Sequence, residues 1–149
     1  MLKSFFHSGF VVRDIDTSIE FYTHVLDFKL ETRTERQGKF IDQVLGFTDA
    51  HIKGAFVTLG EGHQLELIQY LSPTGNDGRI NRNDLGAAHI AFYVEDIDRF
   101  YNDKSSQGLH RINQPAEHRD DTGILIHKVM YAQDPDGNWL EFVELFECY

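Results

Sequence analysis

Four side chains recur in this chain as two copies of one pattern: His7 and Glu66 in the first half, His89 and Glu141 in the second. Residues 7–16 and 89–98 share H-x-x-F-x-V-x-D-I-D, six identities in ten positions at an offset of 82. Gly62-His63-Gln64-Leu65-Glu66-Leu67-Ile68 and Gly137-Asn138-Trp139-Leu140-Glu141-Phe142-Val143 repeat a second element at an offset of 75. Two imidazoles and two carboxylates make an N2O2 donor set suited to a borderline or hard divalent cation. Four protein donors on a six-coordinate ion leave two positions for water or substrate oxygens, where the ion acts as a Lewis acid. Carboxylates are costly to bury unless something compensates their charge, and a divalent cation does so. The other six histidines, His24, His51, His63, His110, His118 and His127, have no duplicated partner and read as surface or local residues.

To converge, these donors need strands, whose side chains alternate between two faces. On the first strand His7, Gly9 and Val11 oppose Phe6, Phe10 and Val12, and on the fifth His89, Ala91 and Tyr93 oppose Ile90, Phe92 and Val94. Glu66 opposes Leu65 and Leu67, and Glu141 opposes Leu140 and Phe142. The apolar faces suit packing against a helix. The histidine faces carry a small neighbour two residues on, Gly9 or Ala91, which leaves room for another group. Alternation places Ile68, Tyr70, Tyr93, Trp139 and Val143 on the donor faces, where they are expected to line a substrate cavity.

The intervening segments repeat in order. Residues 5–12 read as a strand, and Asp14 or Asp16 caps a helix over 17–26. Strands follow at 28–33, 55–59 and 64–70, with a polar, irregular stretch at 35–49 and a glycine turn at 60–62. In the second half a strand covers 88–94, Asp96 caps a helix over 97–105, and strands cover 109–113, 125–132 and 139–146. Asp134-Pro135-Asp136-Gly137-Asn138 is the turn before the last strand. Each half is therefore βαβββ in an α+β class. One domain, 1–149, is expected to comprise module one (about 1–71), a linker rich in Pro, Gly, Asn and Asp (about 72–86) and module two (about 87–149).

A chain of 149 residues with 41% apolar and 26% charged residues is an ordinary globular composition, and 12 Phe with 6 Tyr can fill a core or line a cavity. A formal charge of −10 argues against nucleic acid or an anionic membrane as partner, so an anionic ligand would need a local Arg or Lys. The single cysteine, Cys148, allows no disulfide within the chain, and no run has transmembrane length or signal-peptide pattern. A cytoplasmic, soluble protein is expected.

These segments together resemble the vicinal oxygen chelate superfamily, also called the glyoxalase/bleomycin-resistance/dioxygenase superfamily. The resemblance rests on His7, the segment from Asp14 through Phe21 and Tyr22, Leu65-Glu66-Leu67, the segment from His89 to Ile97, and Asp134 through Glu141. It implies paired βαβββ modules forming a U-shaped mixed sheet around a metal site, with helices outside. It also implies a divalent ion (Zn, Ni, Co, Mn or Fe) held by His7, Glu66, His89 and Glu141, a small-molecule substrate and a homodimer. All four positions are filled, as in the glyoxalase I and methylmalonyl-CoA epimerase branch. There the resemblance implies a lyase or isomerase that moves a proton on a substrate with vicinal oxygens, with Glu141, or Glu66, as the base. The first alternative is an Fe(II) extradiol-type dioxygenase using His7, His89 and Glu141; the second is a metal-free, drug-binding resistance protein. Two departures from glyoxalase I stand out, Val11 where it has a glutathione-contacting Arg and Tyr70 where it has an Asn. A rough alignment with the epimerase places Asp49 as a candidate second base, and Arg79 and Arg82 in the linker could hold an anionic group.

Overall fold

The computed structural model describes residues 1–60, 62–76, 78 and 80–146. It divides into two compact units, Met1–Gly78 and Arg79–Tyr149, with the division inside the expected linker. Cys148, Arg79 and the centre of the expected 60–62 turn lie outside the described residues.

Unit one runs β1 (His7–Val11), α1 (Ile15–Glu20), β2 (Lys29–Gln37), α2 (Lys39–Leu45), β3 (His51–Thr58) and β4 (Gln64–Ser72). Its mixed sheet has the order β1-β4-β3-β2, with β1 parallel to β4 and the other pairs antiparallel. Asp14 caps α1 by accepting from Thr17 N at 2.8 Å, and a wider π-helical turn, Phe21–Val25, continues the helix. Ile15, Tyr22, Val57 and Leu67 are fully enclosed between this helix and one sheet face, with Phe10, Val12 and Leu65 beside them. Of these, Phe10, Val12, Leu65 and Leu67 are residues that alternation assigns opposite His7 and Glu66; Phe6, assigned with them, precedes β1, is exposed and packs on the His7 ring instead.

Unit two runs β5 (His89–Tyr93), α3 (Ile97–Ser106), β6 (His110–Arg111), β7 (Ala116–Arg119), β8 (Leu125–Gln133) and β9 (Trp139–Leu145). The order β5-β9-β8-β6 copies unit one, and β7 adds to β8. Asp96 caps α3 through Arg99 N at 2.9 Å. Ile97, Met130, Ala132, Leu140 and Phe142 form the core under α3, where Phe100 packs on Phe142 with ring centroids 4.6 Å apart.

Two expectations need correction. The stretch 35–49 is not irregular: β2 extends to Gln37, and α2 follows, closed by Gly46 in the left-handed conformation at φ 72°. Helix α2 spaces Phe40, Ile41, Val44 and Leu45 at helical intervals between Gly38 and Gly46, a signal in the sequence that the expected irregular stretch passed over, and it buries only Ile41. The expected strand over 109–113 is two residues long, and β7, whose four residues are all exposed, pairs with β8, where His118 stacks on His127 at 4.8 Å and Lys128 meets Glu117 at 3.6 Å.

Candidate metal centre

The identical residues of the repeat sort into two groups with different work. Asp14 and Asp96 cap helices, while Ile15 and Ile97 fill the core completely. Val12 N donates to Ile68 O, and Val94 N to Val143 O, both at 2.9 Å. Each helix start is also tied to its glutamate strand: Ile15 N donates to Gln69 Oε1 at 3.1 Å, and Ile97 N to Glu144 Oε2 at 3.0 Å. Gln69 and Glu144 stand three residues after Glu66 and Glu141. The helix thereby fixes the register of the two parallel strands that carry the donors.

That register is the same in both units. Gly9 pairs with Glu66 and Ala91 with Glu141, so each histidine sits one pleat back, opposite Gln64 or Trp139. His7 Nε2 comes 3.0 Å from Glu66 Oε2, and His89 Nε2 comes 3.0 Å from Glu141 Oε2. The small residue between them explains the approach, since a Cβ added to Gly9 would already lie 3.9 Å from Glu66 Oε2. Within either unit, among the described residues, no third His, Cys, Asp or Glu joins the pair.

Each pair fits a divalent ion chemically. Two donors on adjacent corners of an octahedron with bonds of about 2.1 Å stand about 3.0 Å apart. The same separation is a hydrogen bond when Nε2 carries a proton. All four side chains are partly exposed, on the sheet face opposite the core. His7 Nδ1 is buried with no hydrogen-bond partner among the described residues, so no acceptor orients this ring from behind. Phe6 and Phe56 hold it instead by edge contacts, at centroid distances of 4.5 and 5.3 Å.

Strands β3 and β8 add an aromatic beside each glutamate, which alternation on the donor strands alone did not reveal. Phe56 pairs with Glu66 and Tyr131 with Glu141, at the same offset of 75. His89 packs edge-on against Tyr131 at 5.5 Å, as His7 does against Phe56. The units differ here in one atom: Tyr131 brings a hydroxyl to the strand position paired with Glu141, and Phe56 has none to offer Glu66. Burial holds the Tyr131 phenol above the ordinary tyrosine range, the Glu141 charge adds to this, and Arg82 opposes it. The phenol therefore stays a donor at neutral pH.

The expected lining residues sit on the donor strands in register with the pairs. Ile68 and Val143 lie two residues beyond the glutamates, Tyr70 contacts Phe47 edge-on at 6.1 Å, and Tyr93 is 80% exposed. Trp139 donates from Nε1 to Ile80 O at 3.1 Å, binding the chain before Arg82 to the donor face of unit two. Asp49 lines a cavity of about 300 Å³ with Gln37, Gly38, Asp42 and Ala50, in a left-handed conformation at φ 53°.

The sequence profile of the Glyoxalase/Bleomycin resistance protein/Dioxygenase superfamily matches residues 4–142. Among curated relatives, "Uncharacterized protein YwbC" of Bacillus subtilis (strain 168) is 32% identical, covering 97% of this chain and 99% of its own. A 2-epi-5-epi-valiolone epimerase of Actinomyces sp. is 27% identical over 93% of this chain and 78% of its own. A lactoylglutathione lyase of Pseudomonas aeruginosa is 28% identical over 94% and 81%. The solved structure of a glyoxalase family protein from Bacillus cereus superposes with a TM-score of 0.85 at 21% identity, covering 99% of this chain and 97% of that one. With its two tandem modules, each carrying a His–Glu pair in one register, the chain belongs to the Glyoxalase/Bleomycin resistance protein/Dioxygenase superfamily.

Proposed function

We propose that this protein is a metal-dependent lyase or isomerase that moves a proton on a small substrate with vicinal oxygens, such as an α-hydroxycarbonyl or a 2-substituted acyl compound. The observation that carries this reading is the His–Glu pair built twice, at one separation and in one strand register. Relatives named as an epimerase and as a lyase accord with chemistry at a carbon beside a carbonyl.

His7, Glu66, His89 and Glu141 would hold one divalent ion, of which Zn, Ni, Co, Mn and Fe all suit the donors. When bound, that ion supplies Lewis-acid stabilisation to negative charge developing on adjacent substrate oxygens. Glu141 is assigned as the base that takes the proton. It is the glutamate whose strand partner, Tyr131, carries a hydroxyl, and His89 flanks its Oε2. Both glutamates would be ligands, with Glu141 the one that would dissociate to act as base and Glu66 the one that would stay. Ile68, Tyr70, Tyr93, Trp139 and Val143 would supply the apolar walls that keep water from the carbon being deprotonated.

Elemental analysis of protein purified without added metal should find about one divalent ion per chain, and the His7→Ala/His89→Ala double variant should lose it. Solvent deuterium should exchange into the α-position of α-hydroxycarbonyl compounds without oxygen consumption. Undiminished metal in the double variant, or Fe(II)-dependent oxygen uptake with catechols, sinks this reading.

A further inference from the structure

Arg82 occupies an unusual position for a linker residue. Its guanidinium carbon lies 4.4 Å from the centre of the Tyr131 ring and 5.6 Å from that of Trp139. Both rings project from the donor face of unit two, Tyr131 in contact with His89 and paired with Glu141, and Trp139 in register with His89. The hydrogen bond from Trp139 Nε1 to Ile80 O anchors the backbone two residues earlier, so the linker delivers this cation to one place. A guanidinium laid over aromatic faces is held by the ring quadrupoles and loses little further freedom on binding a ligand.

What Arg82 does not touch is equally telling. Arg33, Arg99 and Arg119 each meet an aspartate or glutamate. Among the described residues Arg82 has no ion-pair partner and no acceptor for its fork of N–H donors. In a chain of net charge −10 the long-range field repels anions, so recognition of one requires a local cation. The matching position in unit one is different: Phe56 is packed by Phe6 and His7, with no cation over its ring among the described residues.

We propose that Arg82, stacked on Tyr131 and Trp139 beside the His89–Glu141 pair, is a specificity-determining residue that binds an oxyanion of the substrate. The substrate class is thereby narrowed to compounds carrying a carboxylate or phosphoryl group close to the vicinal oxygens. The inference rests on the metal-dependent reading of the His–Glu pairs and deepens it. Tyr131 and Trp139 are positioning residues for the guanidinium in this scheme.

The test uses full-length protein loaded with Co(II) and three hydroxamates that share the same vicinal oxygens: neutral acetohydroxamate, malonomonohydroxamate with an added carboxylate, and phosphonoacetohydroxamate with an added phosphonate. Binding is read twice, by cobalt absorption and by fluorescence of Trp139, the one tryptophan of the chain. One of the anionic probes should bind on the order of 10-fold to 100-fold more tightly than acetohydroxamate, as a charge-assisted contact provides. Which of the two does so identifies the oxyanion. Arg82→Gln should abolish the preference while leaving acetohydroxamate affinity intact, and Arg82→Lys should restore part of it. An arginine that only pins the linker would change thermal stability and leave the ratio alone, and an unchanged ratio in Arg82→Gln overturns the assignment. A cobalt spectrum that responds to all three probes equally overturns the assignment of Arg82 alone. A spectrum that responds to none removes the metal reading and this inference with it.

Discussion

Tyr131 separates the two halves of an otherwise repeated arrangement. Tyr131→Phe keeps the ring that His89 and Arg82 pack on and deletes only the hydroxyl. Loss of the hydroxyl that can donate to Glu141 should lower kcat by on the order of 10-fold to 100-fold while metal content stays constant. Steady-state kinetics with elemental analysis checks both halves of that statement. The same substitution has a pH signature. Because the folded phenol holds its proton above the ordinary tyrosine range, its stabilising contribution is complete below the unfolded pKa and disappears as pH rises through the folded one. In metal-free protein the Tm advantage of wild type over Tyr131→Phe should therefore shrink above about pH 10. Gly9 offers a steric test of the donor geometry. Gly9→Ala should leave metal content unchanged, since its Cβ meets Glu66 Oε2 at an ordinary 3.9 Å and Ala91 already holds the matching position. Gly9→Leu should reduce metal content by driving a branched side chain into the carboxylate.

At the scale of elements, the helix N-termini act as clamps on the parallel strands. Asp96 satisfies Arg99 N, and the next residue, Ile97, is fully buried and bonded to Glu144 on β9. Asp96→Ala should destabilise the fold by about 1 kcal/mol, and Ile97→Ala by about 2–5 kcal/mol, measured by urea unfolding. The elements that escaped sequence reading did so for different reasons. Strand β7 buries nothing and has no periodicity to read, whereas α2 carries Phe40, Ile41, Val44 and Leu45 at helical spacing but is only seven residues long and follows a polar stretch. Seven more residues separate His7 from Glu66 than His89 from Glu141, and α2 occupies part of that interval. The repeat survives the insertion because β1 pairs with β4 through backbone hydrogen bonds that ignore loop length.

For the whole molecule, binding of an ion to the native state alone must raise its stability by mass action. Free metal at about 100 times Kd should add about 2.7 kcal/mol, seen as a higher Tm with Co(II) and a lower one with chelator. The double histidine variant should show neither change. Phe5, Phe6, Phe40, Val44 and Phe47 are exposed on unit one. A homodimer would cover part of this apolar surface, and light scattering should then give a mass of about twice the 17.2 kDa of one chain. Among the described residues no helix is long and apolar enough to cross a membrane.

Amino-acid order alone determined the modular repeat, the strands of the donors, the capping aspartates and the core faces. All of these follow from local periodicity and residue type, which any strand or helix must express. Tertiary structure decided what depends on register between distant segments. It set His7 and Glu66, fifty-nine positions apart, at 3.0 Å, and brought Tyr131 opposite Glu141 across an antiparallel pair. It also laid Arg82 over two rings far along the chain. Such contacts arise from hydrogen-bond pairing and from an indole that captures a linker carbonyl, and neither leaves a periodic trace in sequence.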